Sequence, residues 1–308
     1  MAAHSLGFEG DDNVFPLEPP DEDSAGAAAI VAEWVLDRRL ELKLEAKQVA
    51  TAAETSPSTY SRIETGRGRV HPKTVARVLD VLGFKHGPDR QVFMELVKEA
   101  AGKGWLTSFH DAAPGFIRRY YSMESRAYLL RTLETRVVPG LLQTPEYARA
   151  ISSHTLPADG VGMSGRIVEL RMERQRRFFA GERAEAAFFF PLSVFDPEIG
   201  PRRMIAAQIE HVIGLAETPG VMVRIIPPRL PVGLTVTAIT LLEYKTGSKS
   251  NELIYEDHGD VGQYYMPRAR TRSLFENRRA MMELVWSVAM EFDASLDALR
   301  AKLEEYRD

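Results

Sequence analysis

Residues Glu45–Arg69, E-A-K-Q-V-A-T-A-A-E-T-S-P-S-T-Y-S-R-I-E-T-G-R-G-R, decide how the first third of this chain folds. Gln48, Val49 and Ala50 fall on a short helix, and the small Ala50 lets a following helix cross closely above it. Ser56-Pro57 then reads as a start signal. Ser56 can cap free backbone N–H groups, and Pro57 at the first helical position forfeits no hydrogen bond. Helical spacing turns Tyr60 and Ile63 inward and leaves Ser58, Ser61, Arg62 and Thr65 outward. Gly66 ends the helix, and Arg67, Arg69 and Lys73 follow at once. Small hydrogen-bonding side chains on a short capped helix, with cations at its end, suit a major groove flanked by phosphates. The candidate DNA-facing set is therefore Ser56, Ser58, Thr59, Ser61, Arg62, Arg67, Arg69 and Lys73.

The overall charge conceals this. The chain of 308 residues has a formal net charge of −4. Residues 1–27 hold seven Asp and Glu and no Lys or Arg, whereas residues 28–84 hold nine cations against seven carboxylates. Between Arg62 and Arg77 five cations face one carboxylate. Phosphate binding depends on local cations, so the distribution outweighs the total. The absence of cysteine excludes disulfides, thiolate zinc sites and a cysteine nucleophile. The longest strongly apolar run, Ala186–Phe195, is broken by Pro191 and Ser193 and is too short to span a bilayer. The acidic N-terminus is unlike a signal peptide. A cytoplasmic protein without membrane partners is expected.

Residues 1–26 mix Pro, Gly, Asp and Glu without period and read as a disordered acidic tail. Its plain role is solubility; a second reading is competition with DNA for the basic loop. Ala27–Leu42 reads as a helix with Val31, Val35 and Leu42 on one face and Trp34 beside them. Lys73–Leu82 and Pro88–Ala101 read as further amphipathic helices, closing an all-α domain over residues 27–104.

This first domain resembles the XRE-class helix-turn-helix, which includes the phage repressors. The matching residues are Leu44, Ala50, Ser56, Ser61-Arg62-Ile63-Glu64 and Gly66. The resemblance implies an ion pair between Arg39 on the first helix and Glu64 on the third. There are two departures from the family pattern. Glu54 stands where a turn glycine is usual, and Glu45-Ala46 replaces the usual cap of the second helix. Base discrimination then falls mainly on Ser58, Ser61 and Arg62.

Residues 105–308 mix helices and strands without a strict βαβ repeat and predict a larger α+β domain with a mixed or antiparallel sheet. Strands are expected at Tyr128–Val138, Ala186–Phe195, Val221–Ile226, Thr235–Tyr244, Glu252–Glu256 and Gly262–Met266. Helices are expected at Arg118–Glu124, from Thr144-Pro145 onward, at Ser164–Phe179 and at Pro201–Ala216. Arg268–Met290 is expected to end the fold as one long helix. V-V-P-G-L-L-Q-T-P-E-Y-A-R-A, Val137 to Ala150, resembles the domain that follows the helix-turn-helix in many actinobacterial-type regulators, sometimes called Scr-type antitoxin-like regulators. Lys103-Gly104-Trp105, Arg171-Met172-Glu173-Arg174-Gln175 and Gln208-Ile209-Glu210 support the likeness. It implies a transcriptional regulator, often encoded beside a small partner protein that this domain senses or binds.

No catalytic constellation emerges. Gly162-Met163-Ser164-Gly165 is one residue short of a nucleophile elbow and reads as a loop. Glu256-Asp257-His258-Gly259-Asp260 reads as a hairpin turn rather than a metal site. GxGxxG, the P-loop and HExxH are all absent. The expectation is a dimeric regulator of double-stranded DNA, with no cofactor, no metal and no enzymatic activity. Arginines 166–177 read as a solvated helix face paired with Glu169 and Glu173. Phe188, Phe189 and Phe190 read as core, with a ligand pocket as the alternative. An antitoxin-like adaptor and a sensor of small hydrophobic ligands remain the alternatives to a DNA-binding regulator.

Overall fold

A computed structural model describes residues 25–66, 71–84, 90, 94, 97, 105–109, 111–113, 115–125, 127–155, 161–180, 185–229, 238–246, 249–258, 262–267 and 272–307. The acidic tail up to residue 24, Arg67 and Arg69, and most of the expected helix over 88–101 lie outside them. The chain is helical first: α1 (Ala25–Glu41), α2 (Ala46–Ala52), α3 (Pro57–Thr65) and α4 (Pro72–Val81). Val35, Val49, Ala50, Tyr60, Ile63, Val75, Val78 and Leu79 form its buried core. Leu42, expected on the inward face of the first helix, is instead exposed. That helix stops at Glu41, and the chain turns away through Lys43 at φ +53°.

The second region is α+β. It runs α5 (Gly115–Glu124), β1 (Ala127–Glu134), α6 (Pro145–Thr155), α7 (Val161–Ala180), β2 (Glu185–Pro191), α8 (Arg202–Ala216), β3 (Val221–Ile226), β4 (Ala238–Thr246), β5 (Lys249–Asp257), β6 (Gly262–Tyr265), α9 (Arg272–Val288) and α10 (Phe292–Arg307). Six strands form one mixed sheet in the order β3-β2-β1-β4-β5-β6. β1, β2 and β3 pair parallel with helices between them, and β1, β4, β5 and β6 pair antiparallel. No described helix is long and apolar enough to cross a membrane.

β2 explains its own apolar run, because it lies between two parallel neighbours with both faces covered. Successive strand residues point to opposite faces. Phe188 and Phe190 therefore join the core under α8 and α10, while Phe189 enters the core under α9 and meets Trp286 at 5.7 Å. The strand ends at Pro191 rather than Phe195, giving way to a short 3-10 turn over Leu192–Phe195.

Three further expectations are corrected. The single terminal helix is two, α9 and α10. The buried Arg224 guanidinium donates to the carbonyls of Trp286, Ala289 and Met290, which satisfies the end of α9 and lets the chain turn. Ser295 Oγ then accepts from Ile225 N–H at 3.0 Å, closing part of the free edge of β3. Gly162-Met163-Ser164-Gly165, read as a loop, lies in the first turns of α7. Nor is the arginine helix uniformly solvated. Arg166, Arg176 and Arg177 do pair with Glu169 or Glu173, but Arg174 is buried and grips Glu124 of α5 through two bonds of 2.7 and 2.6 Å.

Arg174 also fixes the backbone beside it. A Cβ on Gly140 would sit 2.8 Å from Arg174 Nη1, whereas one on Gly165, inside α7, would meet nothing within 4 Å. Gly165→Ala is expected to stabilise the protein by about 0.5–1 kcal/mol through helix propensity. Gly140→Ala is expected to destabilise it, because the guanidinium cannot retreat without leaving Glu124. Urea unfolding checks both signs, and equal shifts for the two variants would contradict the packing described.

Candidate nucleic-acid interface

The third helix is built and stopped by local chemistry. Ser56 is its N-cap and accepts from the Thr59 N–H at 3.1 Å, with Pro57 at the first position. Gly66 ends it in the left-handed region at φ +65°. Tyr60 and Ile63 are buried, and Ser58, Ser61, Arg62 and Thr65 are exposed, so the polar strip stands clear on the surface. Thr59 is half-buried and knits the strip together: Ser56 Oγ donates to its Oγ1 at 2.9 Å, and Arg62 Nη2 donates to the same atom at 3.2 Å. Thr65 Oγ1 turns back to the Ser61 carbonyl at 2.7 Å.

What aims this helix is an ion pair. Arg39 Nε on α1 donates to Glu64 Oε1 at 2.5 Å, and the two side chains are 15% and 11% exposed. Tyr60 Oη donates to the same carboxylate oxygen at 2.9 Å, and Arg39 Nη1 reaches the Leu44 carbonyl at 2.8 Å. One guanidinium thus ties the end of α1, the turn into α2 and the last turn of α3. Burial alone would lower the Arg39 pKa, but the bond to Glu64 outweighs it and the net shift is upward. Burial, with Glu64 beside it, raises the Tyr60 hydroxyl, which stays a donor at every physiological pH.

The turn between α2 and α3 carries strain. Glu54 adopts φ +50°, a region that costs a residue with a Cβ roughly 1–2 kcal/mol. Its carboxylate extends into solvent, 3.8 Å from Arg77. α2 starts without a Ser or Thr cap; Gln48 Oε1 instead accepts from the Glu45 N–H at 2.7 Å. α4 is capped by His71, whose Nδ1 accepts from the Lys73 N–H at 3.2 Å.

Lys73 is exposed on the first turn of α4. Arg77 lies one helical turn further along and is also exposed, so the two cations share a face. Arg77 thereby joins the candidate set, and its i,i+4 spacing from Lys73 is legible in the sequence. Lys47, exposed on the first turn of α2, is a second addition, but only its place in the fold picks it out. Of the phenylalanines offered as a pocket, Phe188 lines a cavity; Phe189 faces the opposite side of the sheet, and Phe190 packs edge-on against Phe195 at 6.1 Å.

A family model described as a helix-turn-helix domain matches residues 37–93. A second, described as a domain of unknown function (DUF5753), matches residues 117–301, more than half of the chain. No curated protein and no solved structure matches the chain. The helix-turn-helix match supports a DNA-binding regulator, and the polar face of α3 is exposed.

Removing one partner of a nearly buried pair strands the other. Arg39→Ala and Glu64→Ala are each expected to cost about 3 kcal/mol. The double variant should fall well short of the sum, because neither charge is then left alone. Chemical denaturation of the three variants measures the coupling, and strictly additive costs would show that the two side chains do not act as a pair.

Proposed function

We propose that this chain, which belongs to the family described as domain of unknown function (DUF5753), is a sequence-specific transcriptional regulator that reads double-stranded DNA with α3. Ser58, Ser61 and Arg62 approach base edges in the major groove, with Ser56 and Thr59 holding the start of the helix in register. Lys73, with Arg67 and Arg69 earlier in the sequence, neutralises phosphates. The observation that carries this reading is the exposed polar strip on a helix whose opposite side is locked by Tyr60, Ile63 and the Arg39–Glu64 pair.

The exposed arginine fits the role. In the free protein Arg62 rests on Thr59 Oγ1, a neutral contact at the surface that a base edge can replace at little cost. A guanidinium presented at this point can take two acceptors of a guanine at once. A homodimer would place two such helices on successive turns of the duplex. The C-terminal α+β domain receives the regulatory signal, a small partner protein or an effector, and the chain acts in the cytoplasm as a regulator rather than an enzyme.

The experiment begins with selection of a binding site from a random duplex library by the full chain. Arg62→Ala is expected to cost about 1–3 kcal/mol on the selected site and to relax its selectivity. Lys73→Ala is expected to weaken selected and random duplexes alike and to reduce the salt slope by about one. Equal loss on both duplexes for Arg62→Ala would make it a phosphate contact, and failure to enrich any sequence would contradict sequence-specific reading.

A further inference from the structure

A cavity of about 440 Å³ lies on one face of the sheet, within the range of about 300–1,000 Å³ typical of small-molecule sites. Its floor is a row of paired strand residues, Phe188 on β2, Thr132 on β1, Thr240 on β4 and Tyr255 on β5. Glu134 and Asp257 extend the floor two residues further along β1 and β5. Ile117, Tyr120 and Tyr121 of α5 close it from above, Arg171 and Arg174 of α7 from the side, and the exposed Arg136 stands at its rim.

The cations that α7 turns toward this cavity are not all matched by carboxylates among the described residues. Arg174 is neutralised by Glu124. Arg166, Arg176 and Arg177 on the same helix also have carboxylate partners. Arg171 is different: it gives one hydrogen bond to Gln143 Oε1 at 2.6 Å and makes no ion pair among the described residues. Burial lowers its pKa, yet a guanidinium keeps its charge at any physiological pH. Glu134, across the cavity, also has no hydrogen bond or ion pair among the described residues. Burial, reinforced by Asp257, pushes its carboxyl up to about 8, against the pull of Arg174 and Arg171. At neutral pH the acid is therefore mostly protonated, and Arg171 has no ion-paired carboxylate among the described residues. The wall is polar and unfinished in another respect: the buried Tyr255 hydroxyl has no partner among the described residues.

The remaining walls are apolar and flat. Tyr120 and Tyr255 stack at 4.3 Å and 11°, and Leu130, Leu141 and Ile151 complete the lining. Resting on the reading that this domain receives the regulatory signal, we infer that the cavity is its effector site and takes a small organic carboxylate with a flat apolar body, held by Arg171. Guanidinium and carboxylate match as planar partners in a site with little water. The protonated Glu134 donates to a polar group at the far end of the ligand. α5, the roof over the ligand, packs on its other side against α1, which carries Arg39 and so aims α3. A ligand that favours one seating of α5 thereby biases the DNA-reading helix.

The test uses the full-length protein with benzoate and indole-3-acetate as probes, their neutral amides as controls, titration calorimetry, and anisotropy of a duplex selected from a random library. Both carboxylates are expected to bind saturably, with the amides and the Arg171→Met variant weaker by about tenfold or more. Arg176→Met, which removes an exposed arginine, should bind as wild type. The charged and titratable groups around Glu134 are Asp257 from β5, Arg171 and Arg174 from α7, Tyr147 from α6 and Arg136 beyond β1, and burial raises the Glu134 carboxyl to about 8. Carboxylate affinity should therefore fall as pH rises through about 8, when an ionised Glu134 repels the anion, and Glu134→Gln should abolish that fall. This profile decides the matter even if Arg171→Met fails to fold. Absence of saturable binding, equal binding of the amides, a pH profile unchanged in Glu134→Gln, or unaltered duplex affinity at saturating carboxylate would overturn the inference. Binding of a small protein to this domain with the cavity inert would leave the signal-receiving reading standing, and loss of the selected duplex would count against DNA recognition alone.

Discussion

One carboxylate oxygen orders the N-terminal helical region of this molecule. Glu64 Oε1 accepts from both Arg39 and Tyr60, and Arg39 spends a further donor on the Leu44 carbonyl. A short helix such as α3, with nine residues, has little stability of its own. Its direction relative to α1 must come from packing and from this hydrogen-bonded charge pair. The apolar contacts of Tyr60 and Ile63 set which face the helix buries. The nearly buried pair holds that rotation further, since any rotation of α3 that separates the charges leaves both desolvated and unpaired. The outward strip of hydroxyls and Arg62 is open because its opposite side is fixed in this way.

α1 serves two other masters. Arg38, next to Arg39, donates to the Leu82 carbonyl at the end of α4 and lies 5.9 Å over the Phe84 ring, while Trp34 stacks on Phe84 at 5.5 Å. On the far side α1 packs against α5, and buried residues of both regions belong to one continuous core. α5 in turn is tied to α7 by the Arg174–Glu124 pair, over which Tyr121 lies at 4.3 Å from the guanidinium. The same physical device, a nearly buried arginine–glutamate pair between two helices, thus occurs in both regions. The two are linked through the packing of α1 on α5, so movement near α7 has a short route to α3.

The parts legible in sequence were those whose meaning is local. Ser56-Pro57 and Gly66 start and stop a helix by their own backbone chemistry, and Thr144-Pro145 does the same for α6, where Tyr147 N–H donates to Thr144 Oγ1 at 3.2 Å. The α+β class followed from the mixture of periods, and the parallel and antiparallel halves of the sheet refine it. Strand parity was also available and was not used: three consecutive phenylalanines on a strand cannot all line one pocket. α10 could have been read from Leu296, Leu299 and Leu303, which recur on one face. The α9–α10 break could not, because Arg224, which satisfies the end of α9, is more than sixty positions away. For the same reason the sequence cannot single out Arg171 among its neighbours. What distinguishes it is a missing carboxylate, and the one that neutralises Arg174 lies fifty positions earlier, in α5.

Hydrogen–deuterium exchange of the full chain, with and without a selected duplex, shows whether α3 is the surface that meets DNA. Added protection is expected on residues 47–66 and 71–77, strongest along α3, with the sheet and α8 to α10 unchanged. Protection concentrated on the C-terminal region, with α3 exchanging as freely as before, would contradict it.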